Sequence, residues 1–239
     1  MNELKELAKF KRILSAYTIS PEGKKMLAQT KVVLMTAISA SGRNTIIREL
    51  VKTGSFYFIV SDTTRQPRTN DGVLEQNGVE YWFRSEEEVL EDLENGKFLE
   101  AAIIHNQQVS GISLRELEKA RAEGKYATTD IEVQGVHNIM ASKPDAAAIF
   151  VLPPSYEEWQ RRLLKRGDVS AREIENRHES ARKELRAALR EPYYHFLIND
   201  ELSEAVKGVQ KIAEGKITAR YDKRGREIAQ EILERLQQR

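Results

Sequence analysis

The sequence predicts an α/β protein, a parallel sheet flanked by helices, with a small inserted lobe and a helical arm. Three observations carry this. Short, largely apolar runs recur at residues 31–37, 56–60, 126–131, 146–152 and 196–198, each separated from the next by a helix-like or polar stretch; such alternation builds parallel sheets. Residues 65–112 interrupt it with a Gly- and Asn-bearing loop and strand-like segments at 79–84 and 98–105, as expected of a lobe with its own sheet. Residues 156–190 are helical in pattern and hold ten basic residues against seven acidic ones, an excess that also fits a plain solvated face.

Taken in order, Leu4, Leu7, Phe10, Leu14 and Tyr17 recur at three- and four-residue spacing and predict an amphipathic helix over residues 3–17. Pro21-Glu22-Gly23 ends that element or turns the chain. The β-branched run at 31–37 reads as a strand buried on both faces, and it leads through Ser39-Ala40-Ser41-Gly42 into a helical segment at 45–51. The tail, 216–239, reads as an amphipathic helix with Ile228, Ile232, Leu233 and Leu236 on one side. The expected organisation is an N-terminal helical extension (1–30), a domain at 31–214 and a C-terminal extension (215–239). Within the domain, the core is 31–64, 113–155 and 191–214, the lobe 65–112 and the arm 156–190.

The 239 residues, 40% of them hydrophobic, suffice for a substantial core. Lys and Arg number 38 against 37 Asp and Glu, so charge gives no argument for nucleic acid or a membrane as partner, and any anion site is local. There is no Cys, which removes disulfides and thiolate sites and fits a reducing compartment; with no apolar window of spanning length, the cytoplasm is the expected location. His105, His137, His178 and His195 lack ligand-like spacing, so no zinc site is expected.

A phosphate-binding turn needs small residues, so that backbone N–H groups face the anion, and a cation at the start of the next helix. Residues 37–45, Ala-Ile-Ser-Ala-Ser-Gly-Arg-Asn-Thr, stand between a strand and a helix as that turn requires. Against G-x-x-x-x-G-K-[ST], only Gly42 is intact: Ala37 replaces Gly, Arg43 replaces Lys and Asn44 replaces Ser or Thr. Arg43 keeps the charge on a larger, planar fork. Asn44 offers an amide oxygen to a metal, and Thr45 is the alternative. Alone, the string marks an ordinary strand-to-helix turn more often than a nucleotide site.

After the second apolar run comes Val60-Ser61-Asp62-Thr63-Thr64-Arg65-Gln66-Pro67-Arg68. Two arginine forks around a rigid proline suit a dianionic phosphate, although an isolated R-x-x-R also fits a surface turn. At this point the sequence resembles the guanylate kinase family, whose acceptor signature is T-T-R-x-P-R. The resemblance runs over roughly residues 31–213. It continues through Tyr81, through Phe98-Leu99-Glu100, through Asp130-Ile131-Glu132-Val133-Gln134-Gly135, through Leu152-Pro153-Pro154-Ser155 with Arg162-Leu163-Leu164-Lys165-Arg166-Gly167, and through Phe196-Leu197-Ile198-Asn199-Asp200.

The resemblance implies a P-loop NTPase-type core, with 65–112 as the GMP-binding lobe and 156–190 as the lid. It implies transfer of the ATP γ-phosphoryl group to GMP, with Mg²⁺ accompanying ATP. ATP is then expected over Ser39, Ala40, Ser41, Gly42, Arg43, Asn44, Thr45 and Asn199, with Asn44 and Asp130 toward Mg²⁺. Ser61, Arg65, Arg68, Tyr81, Glu100, Ser110 and Glu132 are expected around GMP, the two glutamates reading the base. Arg43, Arg162, Arg166 and Arg177 are the expected catalytic cations, since phosphoryl transfer needs charge neutralisation and in-line positioning more than a covalent nucleophile.

Two departures bear on selectivity. Where the family has Y-Y-G-[TS], this chain has Val109-Ser110-Gly111-Ile112, and the loop at 69–78 is longer than the family's. Two alternatives follow: a GMP-binding or protein-interaction module with weak or no catalysis, and a kinase for another small phosphorylated acceptor.

Overall fold

Strand Val32–Ala37 is buried along nearly its whole length, the environment its Val, Leu and Met side chains require on both faces. The computed structural model describes residues 3–70, 72–165, 170–216 and 219–238 and divides into two units. One comprises Met1–Lys31, Tyr57–Ala127 and Ala141–Lys143; the other comprises Val32–Phe56, Thr128–Met140 and Pro144–Arg239.

In the second unit, Val32–Ala37 pairs in parallel with Ala147–Leu152, and that strand pairs in parallel with Tyr194–Ile198; Met35 lies opposite Ile149, and Phe150 opposite Phe196. The sheet has five strands in the order Tyr194–Ile198, Ala147–Leu152, Val32–Ala37, Tyr126–Asp130, Phe56–Phe58. Helices Arg43–Lys52 and Leu202–Ala213 pack on these strands and on each other. The basic arm is two helices, Tyr156–Leu164 and Ala171–Arg190, started by Ser155 and Ser170, whose hydroxyls accept the N–H of Glu158 and Glu173. The C-terminal helix Ala219–Gln237 packs on both and on Tyr194–Ile198, burying Ile228, Ile232, Leu233 and Leu236 as the spacing predicts.

The first unit holds a mixed sheet in the order Trp82–Phe83, Asp62–Thr63, Gln108–Ser113, Phe98–Ile104. The strand expected at 79–84 shrinks to Trp82–Phe83. Gly78 takes a positive φ, and the Gln76 carbonyl accepts the N–H groups of Val79 and Glu80, so residues 76–80 form a turn. Helix Glu86–Glu94 opens on a full capping box between Ser85 and Glu88. The N-terminal periodicity resolves into helix Leu7–Ser15; Pro21, read from sequence as a break, starts a second helix, Pro21–Gln29. Proline at the first helical position has a preset φ and no N–H to leave unpaired, and the Ser20 hydroxyl accepts the N–H of Gly23. Among the described residues no helix is long and apolar enough to cross a membrane.

Candidate active site

The turn after Val32–Ala37 carries backbone geometry that its letters only partly announce. Ala40 (φ 66°) and Gly42 (φ 89°) both lie in the left-handed region, and helix Arg43–Lys52 starts directly after Gly42. Buried Asn199 closes the turn from the end of strand Tyr194–Ile198: its Nδ2 donates to the Ser41 carbonyl at 2.7 Å, and its own N–H donates to the Leu152 carbonyl at 2.7 Å. A Cβ on Gly42 would stand 2.3 Å from Asn199 Nδ2, so only glycine fits. Trp159 Nε1 donates to the Ser39 carbonyl at 2.7 Å and fixes the other side. Ser41 is buried, and its hydroxyl has no partner among the described residues. Asn44 and Thr45 are exposed on the first helical turn.

Cations and carboxylates gather around this turn. Arg43 Nη2 bonds Asp130 Oδ2 at 3.0 Å, and its Nε donates to Asn44 Oδ1 at 3.2 Å. Burial pushes the Asp130 carboxyl up, against the pull of Arg43. Arg162 donates through Nη1 to the Asn199 carbonyl at 3.1 Å and through Nε to Glu158 at 2.7 Å, so it rests on the residue that closes the turn. Arg177 pairs with Glu173 one helical turn away and buries Nη1 without a partner among the described residues. Arg166 lies outside the described residues. Glu184, on the same helix as Arg177, is raised to about 7, chiefly by burial and further by the Glu132 charge, with Arg43 opposing. Glu132 itself is exposed just before helix Val133–Ser142.

In the first unit, Arg65 and Glu75 form a bidentate pair at 2.5 and 2.9 Å, with only 7% and 8% of their side chains exposed. The Arg65 guanidinium also lies over the rings of Tyr81 and Phe83, at 4.6 and 5.5 Å. Glu75 accepts the Arg68 N–H at 2.8 Å as well, so one carboxylate ties the T-T-R-x-P-R turn to the hairpin Thr69–Asn70/Val73–Leu74. The Arg68 side chain is exposed. The Ser61 carbonyl accepts the Trp82 N–H. Ser110, where the family has tyrosine, donates to Thr63 Oγ1 at 3.0 Å, and Ile112 is buried. Glu100 is half-buried on strand Phe98–Ile104.

Sequence reading missed Glu75, Glu158, Trp159 and Glu184. Glu158 had a visible signal, standing three residues after Ser155 in a helix-start pattern. Trp159 and Glu184 lie in helical stretches whose periodicity tells core from solvent without telling which groups meet across the fold.

A parallel α/β unit with a glycine-closed turn at a strand's carboxyl end, a cation opening the next helix and arginines on a helical arm has the architecture on which α/β proteins hold phosphate groups. The chain belongs to the guanylate kinase family: the family model described as Guanylate kinase matches residues 29–216. It is 37% identical over 185 residues to guanylate kinase 1 of Oryza sativa subsp. japonica, covering 76% of this chain and 47% of that protein. It is 34% identical over 187 residues to the guanylate kinase of Corynebacterium efficiens, covering 77% and 95%. The chain thus spans about half the length of its rice relative. The crystal structure of guanylate kinase from Anaplasma phagocytophilum matches with a TM-score of 0.57 at 24% identity, over 81% of this chain and 90% of that one, a likeness of fold.

Proposed function

We propose that this chain transfers the γ-phosphoryl group of ATP to GMP, giving ADP and GDP. The observation that carries the reading is the lock between Asn199, Ser41 and Gly42. The turn keeps a left-handed glycine, a tight closing side chain and a cation at the helix start although its lettering departs from G-x-x-x-x-G-K-[ST]. A module kept only for binding an acceptor has no use for that geometry.

In this reading residues 37–45 and Asn199 cradle the ATP phosphates, and Arg43, Arg162, Arg166 and Arg177 neutralise charge that develops on the transferred group. One such arginine is worth about 10³–10⁵ in turnover. Arg65, Arg68 and Tyr81 hold the acceptor phosphate, with Ser61 and Ser110 beside it, and Glu100 and Glu132 read the base. Residues 65–112 serve as the acceptor lobe and 156–190 as the lid. Asn44 and Asp130 offer oxygen ligands of the kind Mg²⁺ takes, and among the described residues no group of three or more His, Asp or Glu forms a separate metal cage. Mg²⁺ bound with ATP would neutralise phosphate charge there. The net charge of only +1 fits small nucleotides as the partners, rather than nucleic acid or a membrane, and we assign the cytoplasm as the site of action.

A coupled ADP-release assay with Mg²⁺·ATP and a panel of GMP, dGMP, AMP, UMP and dTMP tests this. GMP-dependent turnover is expected, with Arg65→Ala raising the GMP requirement and Arg162→Ala chiefly lowering kcat. Calorimetric GMP binding without turnover on any acceptor would reverse the reading in favour of a binding module, and turnover on a different acceptor would reassign the substrate.

A further inference from the structure

The N-terminal segment, which precedes the family match, makes polar contacts that the proposed mechanism leaves unused. Helix Leu7–Ser15 sets fully buried Phe10 among Val89, Leu90, Leu93, Phe98 and Val109. Ahead of it, the N–H groups of Lys5 and Glu6 donate to the Glu86 carboxylate at 3.2 and 2.8 Å. Beyond it, the Tyr17 hydroxyl donates to the Phe98 carbonyl at 2.7 Å and accepts the Phe98 N–H at 3.1 Å. A single hydroxyl thereby satisfies both main-chain groups of one strand residue.

That residue opens a register shift. Phe98 lies opposite Ser113 and Glu100 opposite Ile112, so two steps along one strand meet one step along the other. In a regular strand, residues two apart share a face, which would put the Glu100 carboxylate on the fully buried face of Phe98. The extra residue re-aims the side chains that follow. Phe98–Ile104 is an edge strand of its sheet, and the Lys97 carbonyl accepts the Leu114 N–H, so the main-chain groups of Phe98 face away from Ser113; Tyr17 pairs both of them where the shift begins. Gly111 lets the strands close: a Cβ there would stand 2.5 Å from the Glu100 carbonyl.

We infer that Tyr17 is a positioning residue for acceptor-base selection, its hydroxyl fixing the Phe98–Glu100 register shift that turns the Glu100 carboxylate away from the apolar face of Phe98 and toward the purine's N1–H and 2-amino donors. The inference rests on the proposed role of Glu100 as the base-reading carboxylate. Tyr17→Phe keeps the ring packing and removes only the hydroxyl.

The test measures GMP, IMP and ATP binding by calorimetry in the full chain, IMP lacking the 2-amino group. The wild type favours GMP over IMP, and Glu100→Gln abolishes most of that preference. Tyr17→Phe narrows the GMP:IMP ratio about three- to tenfold, the scale of one or two lost hydrogen bonds, and leaves ATP affinity within about twofold. Ser20→Ala is the control: it removes the Ser20 hydroxyl bond to the Gly96 carbonyl and the cap on the Gly23 N–H in the same segment without touching Phe98, and it keeps the wild-type ratio. An unchanged ratio in Tyr17→Phe, or an equal narrowing in Ser20→Ala, overturns the positioning role. A ratio that Glu100→Gln leaves untouched overturns the base reading beneath it, a separate failure.

Discussion

Glu184 shows how one side chain can carry a pH dependence that its sequence neighbourhood hides. It stands in an arginine-rich helix as one more charged residue, yet Oε2 is buried without a partner among the described residues and the carboxyl is raised from 4.5 to about 7, burial leading and Glu132 adding. A carboxyl with a raised folded pKa binds its proton more tightly in the native state. Its contribution to stability is therefore complete below about 4.5 and is lost as pH rises through about 7. Glu184→Gln, which cannot ionise, should leave stability near pH 4.5 little changed and raise it at pH 8 by on the order of 3 kcal/mol, a pKa unit being worth about 1.4 kcal/mol. Urea midpoints at the two pH values check this; parallel pH profiles for wild type and variant would show that Glu184 titrates normally. Arg65 was legible because two arginines flank a proline in a short motif. Its partner Glu75, ten residues on in a loop with no periodic pattern, was not.

At the scale of elements, the strand at Val32–Ala37 and the C-terminal helix were readable because hydrophobic period reports burial directly. Less was readable where a local turn competes with a pattern. Gly78 and Gln76 shorten the expected strand at 79–84, and Pro21 starts a helix where proline was read as punctuation. The turn at 37–45 lies between these cases: its place between strand and helix was plain, whereas its closure depends on Asn199, more than 150 residues away. Gly42→Ala should therefore cost about 1–3 kcal/mol, from a non-glycine at φ 89° and a Cβ 2.3 Å from Asn199 Nδ2, and should weaken ATP binding more than about tenfold. Adding Asn199→Ala removes the clash and leaves the backbone strain. A double-mutant cycle on denaturation midpoints should then show non-additivity of about 1 kcal/mol or more, and strict additivity would mean that the two residues do not touch.

Over the whole molecule, each terminal helix is part of one unit: residues 3–31 belong to the unit holding Arg65 and Glu100, and Ala219–Gln237 to the unit holding Arg43 and Asn199. An amphipathic stripe reveals which face a helix buries, not which surface receives it, so these assignments were beyond the sequence. The C-terminal helix lies close on strand Tyr194–Ile198. Arg226 Nη2 donates to the carbonyls of Glu191 and Tyr194, both at 3.2 Å, its guanidinium covers the Phe196 ring at 4.8 Å, and Gly225 sits where a Cβ would be 2.4 Å from the Phe196 carbonyl oxygen. Local propensity and packing therefore make opposite predictions for Gly225→Ala. Within a helix, alanine is favoured over glycine by about 0.8–1 kcal/mol, so an exposed, loosely docked helix would gain stability. Here the added methyl must push the helix off the strand that leads into Asn199, and overpacking of this kind costs about 1–3 kcal/mol. The expected net result is a loss of stability in urea unfolding, accompanied by weaker ATP binding because Asn199 moves with its strand. A gain of about 1 kcal/mol would instead mean that the helix stands farther from the sheet edge, and the ATP site would then be independent of it.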